Sequence, residues 1–170
     1  MLEGCKMKAE IINAKAIRFT DIDNEEYTVL VKGIEELRIE RYGKRLAYYI
    51  GLQNWPCVIE IDKETYNVFF ESIEKYLGSV TERIRMATEQ DISKKIKFKD
   101  LGSWEQTVLP ENIKGLSIEQ YEGKLEYFVN ISNKGYGDEV DFKTFNVLLA
   151  ALKAVAHAKE QDNGQSKKQN

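Results

Sequence analysis

The chain says nearly the same thing twice. Displaced by 79 positions (98 − 19), Phe19 falls on Phe98, and the register holds without a gap from Lys15/Lys94 to Leu77/Ala156. Identical residues meet at about a third of the paired positions, among them Ile17, Asp21, Thr28, Leu37, Ile39, Glu40, Tyr42, Leu46, Tyr48, Asp62 and Thr65. Others exchange like for like, as in Tyr49/Phe128, Ile50/Val129, Tyr66/Phe145 and Phe69/Leu148. A self-match of this length is the signature of a repeated structural unit. It constrains the architecture more than it constrains the function.

Each unit is about 63 residues, a size at which a lone hydrophobic core is marginal. Two units packed together bury enough surface, so they are expected to fold as one body. The expected organisation is an N-terminal extension (1–14), a first repeat (15–77), a helical connector (78–93), a second repeat (94–157) and a disordered polar tail (158–170). The net charge of −3 argues against a polybasic nucleic-acid binder. The charge is unevenly shared. Lys15–Leu77 carries 9 basic and 12 acidic side chains, whereas Lys94–Ala156 carries 9 of each. The apolar runs are too short to span a bilayer, and the first residues hold no apolar signal region. A cytoplasmic location is expected, with Cys5 and Cys57 as reduced structural thiols.

Alternation and helical spacing place the elements. Ala16–Thr20 and Lys95–Lys99 read as short strands with basic residues outward. Tyr27–Val31 and Gln106–Pro110 follow, and Pro110 marks an edge or an early strand end. Leu37–Tyr42 and Arg45–Ile50 flank Gly43-Lys44, a hairpin signal repeated by Leu116–Tyr121, Glu122-Gly123 and Lys124–Val129. Leu37, Ile39, Leu46, Tyr48 and Ile50 share one face, as do Leu116, Ile118, Leu125, Tyr127 and Val129. A last strand near Val58–Ile61, or Glu139–Phe142, leads into a helix with Asp62 or Asp141 as N-cap. The helices carry apolar stripes, Tyr66/Phe69/Phe70/Ile73/Leu77 and Phe145/Leu148/Leu149/Leu152/Val155. The plan condenses to an α+β protein of two tandem ββββα repeats.

No nucleophile and base recur at catalytic spacing. His157 is the only histidine and reads as a helix-terminal surface residue. Neither metal-ligand spacing nor a phosphate-cradling glycine loop is present. A non-enzymatic protein without cofactor or metal is therefore expected. The outward sheet face is more informative. Alternation gives it Arg38, Tyr42 and Tyr49 in the first copy and Lys97, Lys99, Tyr121 and Phe128 in the second, with Lys44, Arg45 and Lys124 at the hairpin tips. Aromatics beside cations can stack unpaired bases while the cations meet phosphates. The same aromatics also read as packing residues, since strands favour them. Glu40 and Glu119 share that face. Trp55 and Trp104, in non-equivalent loops, read either as lids over the core or as contact residues.

The order of strands, Gly-Lys hairpin and capped helix, seen best in Leu116–Ile131 with the helix from Asp141 to Leu152, resembles a single-stranded-nucleic-acid-binding group. That group comprises the PUR repeats, the Whirly proteins and the coactivator positive cofactor 4. The resemblance implies an intramolecular pseudo-dimer. It also implies DNA or RNA contacts at Arg38, Tyr42, Lys44, Arg45, Tyr49, Tyr121, Lys124 and Phe128. Single-stranded nucleic acid is the partner expected first. A rival reading is a protein-interaction module, an inhibitor or assembly factor, using the acidic first repeat and the Trp55 loop. Self-association as a homodimer is a third. No membrane partner is expected.

Overall fold

Two long antiparallel hairpins form the frame, and each owes its register to a mirror-type turn. In the first, Gly43 turns with φ +61°; in the second, Glu122 and Gly123 both turn with positive φ, 49° and 76°. Such turns twist in the same sense as the strands they join, so they hold the arms in pairing distance. The computed structural model describes residues 9–13, 16–77 and 95–165. The chain is a mixed α+β protein built on antiparallel sheets.

The first series of elements is β1 (Glu10–Asn13), β2 (Ala16–Thr20), β3 (Glu26–Leu30), a 3-10 turn at Val31–Gly33, β4 (Ile34–Tyr42), β5 (Arg45–Leu52), β6 (Ile59–Ile61) and α1 (Lys63–Leu77). The second is β7 (Ile96–Lys99), β8 (Glu105–Val108), a 3-10 turn at Pro110–Asn112, β9 (Ile113–Tyr121), β10 (Lys124–Ile131), β11 (Asp138–Val140) and α2 (Phe142–Gln165). From the 3-10 turn to the first residue of the helix, every boundary recurs at the displacement found in the sequence. Strands β1-β2-β3 form one sheet, β7-β8 another, and a six-stranded sheet runs in the order β11-β10-β9-β4-β5-β6. Registers include Phe19↔Tyr27 in β2/β3, Tyr49↔Glu60 in β5/β6, Phe98↔Gln106 in β7/β8 and Phe128↔Glu139 in β10/β11.

The inward residues are those that alternation selects. Ile17, Phe19, Leu37, Ile39 and Ile50 are fully buried, as are Leu116 and Val129. Phe69 meets Phe19 edge-on with centroids 5.0 Å apart, and Tyr66 lies 5.3 Å from Tyr48. Phe145 lies 5.2 Å from Tyr127. The α2 stripe of Phe145, Leu148, Leu149, Leu152 and Val155 is buried throughout. The hydroxyl of Tyr66 has no hydrogen-bond partner among the described residues, and burial raises its pKa above the usual phenol range. Phe145 fills the equivalent position without that oxygen.

Contacts divide the chain into two bodies, and the hairpin ends cross over between the copies. Ile39–Leu46, the end of the first hairpin, groups with the body of the second copy, and Glu119–Leu125 groups with the body of the first. Within the second body, the Arg41 guanidinium donates from Nε to the Ile113 carbonyl at 3.2 Å, from Nη1 to that of Gly43 at 3.1 Å, and from Nη2 to that of Glu111. The backbones approach so closely that a Cβ on Gly115 would stand 2.5 Å from the Ile39 carbonyl oxygen. No side chain fits there.

Several expectations are revised. Five strands precede each helix from Ala16 and from Ile96, one more than the ββββα plan: all five segments read as strands in each copy form, the short last ones as β6 and β11, which pair with β5 and β10. Strand β8 stops at Val108, the early end expected of the copy that carries Pro110, and Pro110 opens the 3-10 turn, where its fixed φ suits the first position. Helix α2 runs to Gln165, into the segment expected to be disordered. Ala, Lys, Glu and Gln are strong helix formers, and each added residue extends an existing helix at little cost. His157 is consequently exposed inside α2 and not in its last turn. Cys57 is a free thiol, as expected, but it is exposed and so has no structural role in the core. Cys5, residues 1–8 of the N-terminal extension and the connector 78–93 lie outside the described residues, as does 166–170 of the tail.

The caps are formed as expected. Asp62 Oδ1 accepts from the Thr65 amide at 2.6 Å, and Asp141 Oδ1 from the Thr144 amide at 2.7 Å. Replacing either aspartate by alanine leaves a first-turn donor without its acceptor and is expected to cost about 1 kcal/mol. Urea denaturation should show two similar losses, additive in the double variant because the caps share no partner.

Candidate nucleic-acid interface

Strand geometry divides the expected contact residues into three settings. The first is the hairpin ends. Both turns leave the last aromatic of the incoming strand outside: Tyr42 is 57% exposed and Tyr121 63%. Lys44, Arg45 and Lys124 are exposed beside them. The Tyr42 hydroxyl donates to Glu40 Oε2, which holds one end of the exposed ring. Each hairpin end thus presents one aromatic ring with one or two cations next to it.

The second setting is the outer face of β4 and β5. Arg38 and Tyr49 are each partly buried there and engage each other. The Arg38 guanidinium lies over the Tyr49 ring, 5.7 Å from its centroid, and its Nε pairs with Glu36 Oε1 at 3.0 Å. A guanidinium held by a carboxylate and a ring face is already partly neutralised. Phe128 is half-buried opposite Glu139. These three residues contribute to packing on the outer face more than to an open platform.

The third setting is a sheet apart. Lys97 and Lys99 stand exposed on β7, which belongs to the two-stranded β7-β8 sheet and not to the six-stranded one. Alternation along a strand fixes which side a residue faces but not which sheet the strand joins, so the sequence grouped them with the hairpin residues. Among the described residues Lys99 pairs with Glu105 at 4.0 Å, both ends well exposed.

Sequence reasoning left the loops open, and the structure gives them a clear form. In each copy the turn after the first strand is stitched to the short strand before the helix: the Ile22 amide donates to the Glu60 carbonyl, and the Leu101 amide to the Glu139 carbonyl at 2.9 Å. The layer beneath differs. In the first copy Tyr27 stacks on Phe19 at 5.2 Å and meets Trp55 edge-on at 6.2 Å. In the second, Gln106 and Lys134 occupy the equivalent positions. Lys134 Nζ donates to Gln106 Oε1 at 2.9 Å and to Asp138 Oδ2 at 2.7 Å, and Gln106 donates to Asp100 Oδ2 at 3.1 Å. An aromatic layer has been replaced by a satisfied polar one. Trp55 is therefore tied into its corner at 52% exposure, whereas Trp104 is 72% exposed and Tyr136 73%.

Tyr27 is the most perturbed accessible group of the first corner. Its hydroxyl lies 2.9 Å from Glu25 Oε2 and 3.1 Å from Asp21 Oδ2. Hydrogen bonding to Glu25, then burial, then Asp21 push its pKa up to about 12. Among the described residues no group of three or more His, Cys, Asp or Glu side chains could hold a metal ion, and no helix is long and apolar enough to cross a membrane. No protein-family model, no curated protein and no solved structure matches the chain.

The raised Tyr27 pKa has a defined consequence. The folded state holds the phenol proton more tightly than the unfolded chain, whose tyrosines ionise near pH 10. Its stabilising effect is complete below pH 10 and is lost as pH rises toward 12. Spectrophotometric titration, with Tyr27→Phe to assign the signal, should place this ionisation near pH 12. Asp21→Asn with Glu25→Gln should bring it down. Ionisation of Tyr27 alongside the exposed tyrosines would contradict the hydrogen-bonding scheme.

Proposed function

We propose that this chain is a non-enzymatic, cytoplasmic protein that binds single-stranded DNA or RNA, with its two repeats packed as an intramolecular pseudo-dimer. The observation that carries the reading is the composition of the hairpin ends. Tyr42 with Lys44 and Arg45, and Tyr121 with Lys124, each combine an exposed ring with exposed cations. A ring face stacks any base, while a neighbouring ammonium or guanidinium meets the phosphate that follows it. The overall charge of −3 gives no long-range attraction, so affinity rests on these local contacts and falls as salt rises.

A protein-interaction role is the second reading. It is supported by the exposed apolar residues Ile22, Trp55 and Val58 in the acidic first copy, which suit a basic apolar partner.

Fluorescence anisotropy with labelled single-stranded oligonucleotides at low salt tests the first reading. Tyr42→Ala and Tyr121→Ala should each weaken binding by about 5- to 100-fold, the equivalent of roughly 1–3 kcal/mol of stacking. Circular dichroism should be unchanged because both rings are exposed. Absence of binding at tens of micromolar protein would remove the nucleic-acid reading. A nuclease-insensitive, stoichiometric protein partner would then favour the second.

A further inference from the structure

The second body carries an aromatic corner that the hairpin reading leaves unused. Trp104 and Tyr136 are its two most exposed rings, and both exceed Tyr42 and Tyr121 in exposure. They stand on different loops, but the loops belong to one corner. Lys134, two residues before Tyr136, is bonded to Gln106, two residues after Trp104, and the Leu101 amide is bonded to the Glu139 carbonyl on β11. Trp104 is held from below. Its amide donates to Asp100 Oδ1 at 2.9 Å, and a Cβ on Gly102 would stand 3.1 Å from its ring. The loop chain thus sits against one part of the indole while most of it faces solvent. Two such exposed rings on loops tied into one corner form a surface feature that core packing does not require.

Charge decides what the corner suits. Strand β7 carries Lys97 and Lys99, with Lys95 just before it, all exposed. Three carboxylates lie among them: Asp100 accepts from the Trp104 amide and Gln106, Asp138 from Lys134, and Glu105 lies 4.0 Å from Lys99 in an exposed pair that costs little to break. The equivalent corner of the first copy has Asp23, Glu25 and Glu26 exposed, and Arg18 there pairs with Glu26 at 3.7 Å. We infer that the Trp104–Tyr136 corner is a base-stacking site for single-stranded nucleic acid, with Lys97 and Lys99 as its phosphate contacts, and that the first-copy corner is not. The inference rests on the nucleic-acid reading and assigns it a site apart from the hairpin ends. Trp104 and Tyr136 each take a base face, and the lysines follow the backbone along β7. Lys134 takes no part, since its ammonium is already committed to Asp138 and Gln106.

The experiment uses the full chain with Trp55→Phe, so that Trp104 is the sole indole, and a fluorescein-free single-stranded DNA of about 12 nucleotides. Stacking should quench and shift Trp104 emission on addition of the oligonucleotide. In anisotropy with the labelled form, Trp104→Ala and Tyr136→Ala should each weaken binding about 5- to 100-fold. Lys97→Gln with Lys99→Gln should lower the slope of log affinity against log salt by about 1.4, two phosphate contacts on a single strand. All four side chains are exposed, and a thermal melt verifies that the variants fold. If the wild-type chain binds, the hairpin variants lose affinity and the corner variants do not, the corner assignment is overturned while the nucleic-acid reading stands. If the wild-type chain fails to bind, both fall. Quenching that persists in Tyr136→Ala with unaltered affinity also overturns the two-ring site.

Discussion

The close approach of the first hairpin end to β9 is the constraint on which the rest depends. Gly115 has no room for a side chain because the Ile39 carbonyl oxygen lies 2.5 Å from where its Cβ would be. Arg41 then closes the contact from the other side by donating to the carbonyls of Ile113, Gly43 and Glu111. Hydrogen bonds from a charged donor contribute more than neutral ones, and three acceptors around one planar guanidinium fix an orientation as well as a distance. Tyr42, Lys44 and Arg45 project from a strand end whose position is determined in this way. The candidate contacts on that hairpin are therefore placed by backbone geometry and not by loop flexibility.

The two copies do not solve this problem identically. Glu36 stands where the second copy has Gly115, and Gln120 where the first has Arg41. Glu36 is instead used on the outer face, paired with Arg38 and packed against Gly51. Residues identical between the copies do shared work: Asp62 and Asp141 cap helices, Leu37 and Leu116 fill cores, Asp21 and Asp100 organise the turns. The differences concentrate where an aromatic layer in one copy meets a Lys134–Asp138–Gln106 network in the other. Both layers are satisfied, one by ring packing and one by hydrogen bonds, so both support the same stitch to the following short strand.

Much of this was legible in the sequence because it depends on local period. Alternation with Gly43 or Gly123 dictates the hairpins, and the 3.6-residue stripes with Asp62 and Asp141 dictate the helices. The exchange of hairpin ends was not legible. It turns on which strand a given edge meets, a long-range choice that leaves no mark on the alternation of Leu37–Tyr42. The separate sheet of Lys97 and Lys99 escaped for the same reason. Arg38 and Tyr49 were correctly assigned to one face, but that face allowed them to bind each other. The helical run past Ala156 was hidden by its polarity, because low hydrophobicity reports on packing and not on backbone hydrogen bonding.

The exposure of a loop aromatic cannot be read from its neighbours in the chain, and Trp55 and Trp104 illustrate why. Trp55 has Tyr27 to meet, and that ring in turn stacks on buried Phe19, so the indole continues an aromatic column that begins in the core. Trp104 lies one turn away from Gln106, where the column is replaced by an amide bonded to Lys134 and Asp100. An indole gains little from packing on a hydrogen-bonded amide, and it remains in solvent. The polar substitution that keeps the second corner folded is thus also what leaves Trp104 available. Exposure there follows from a satisfied network beneath it, and a ring held out by its own support is better suited to a flat ligand than one drawn into the core.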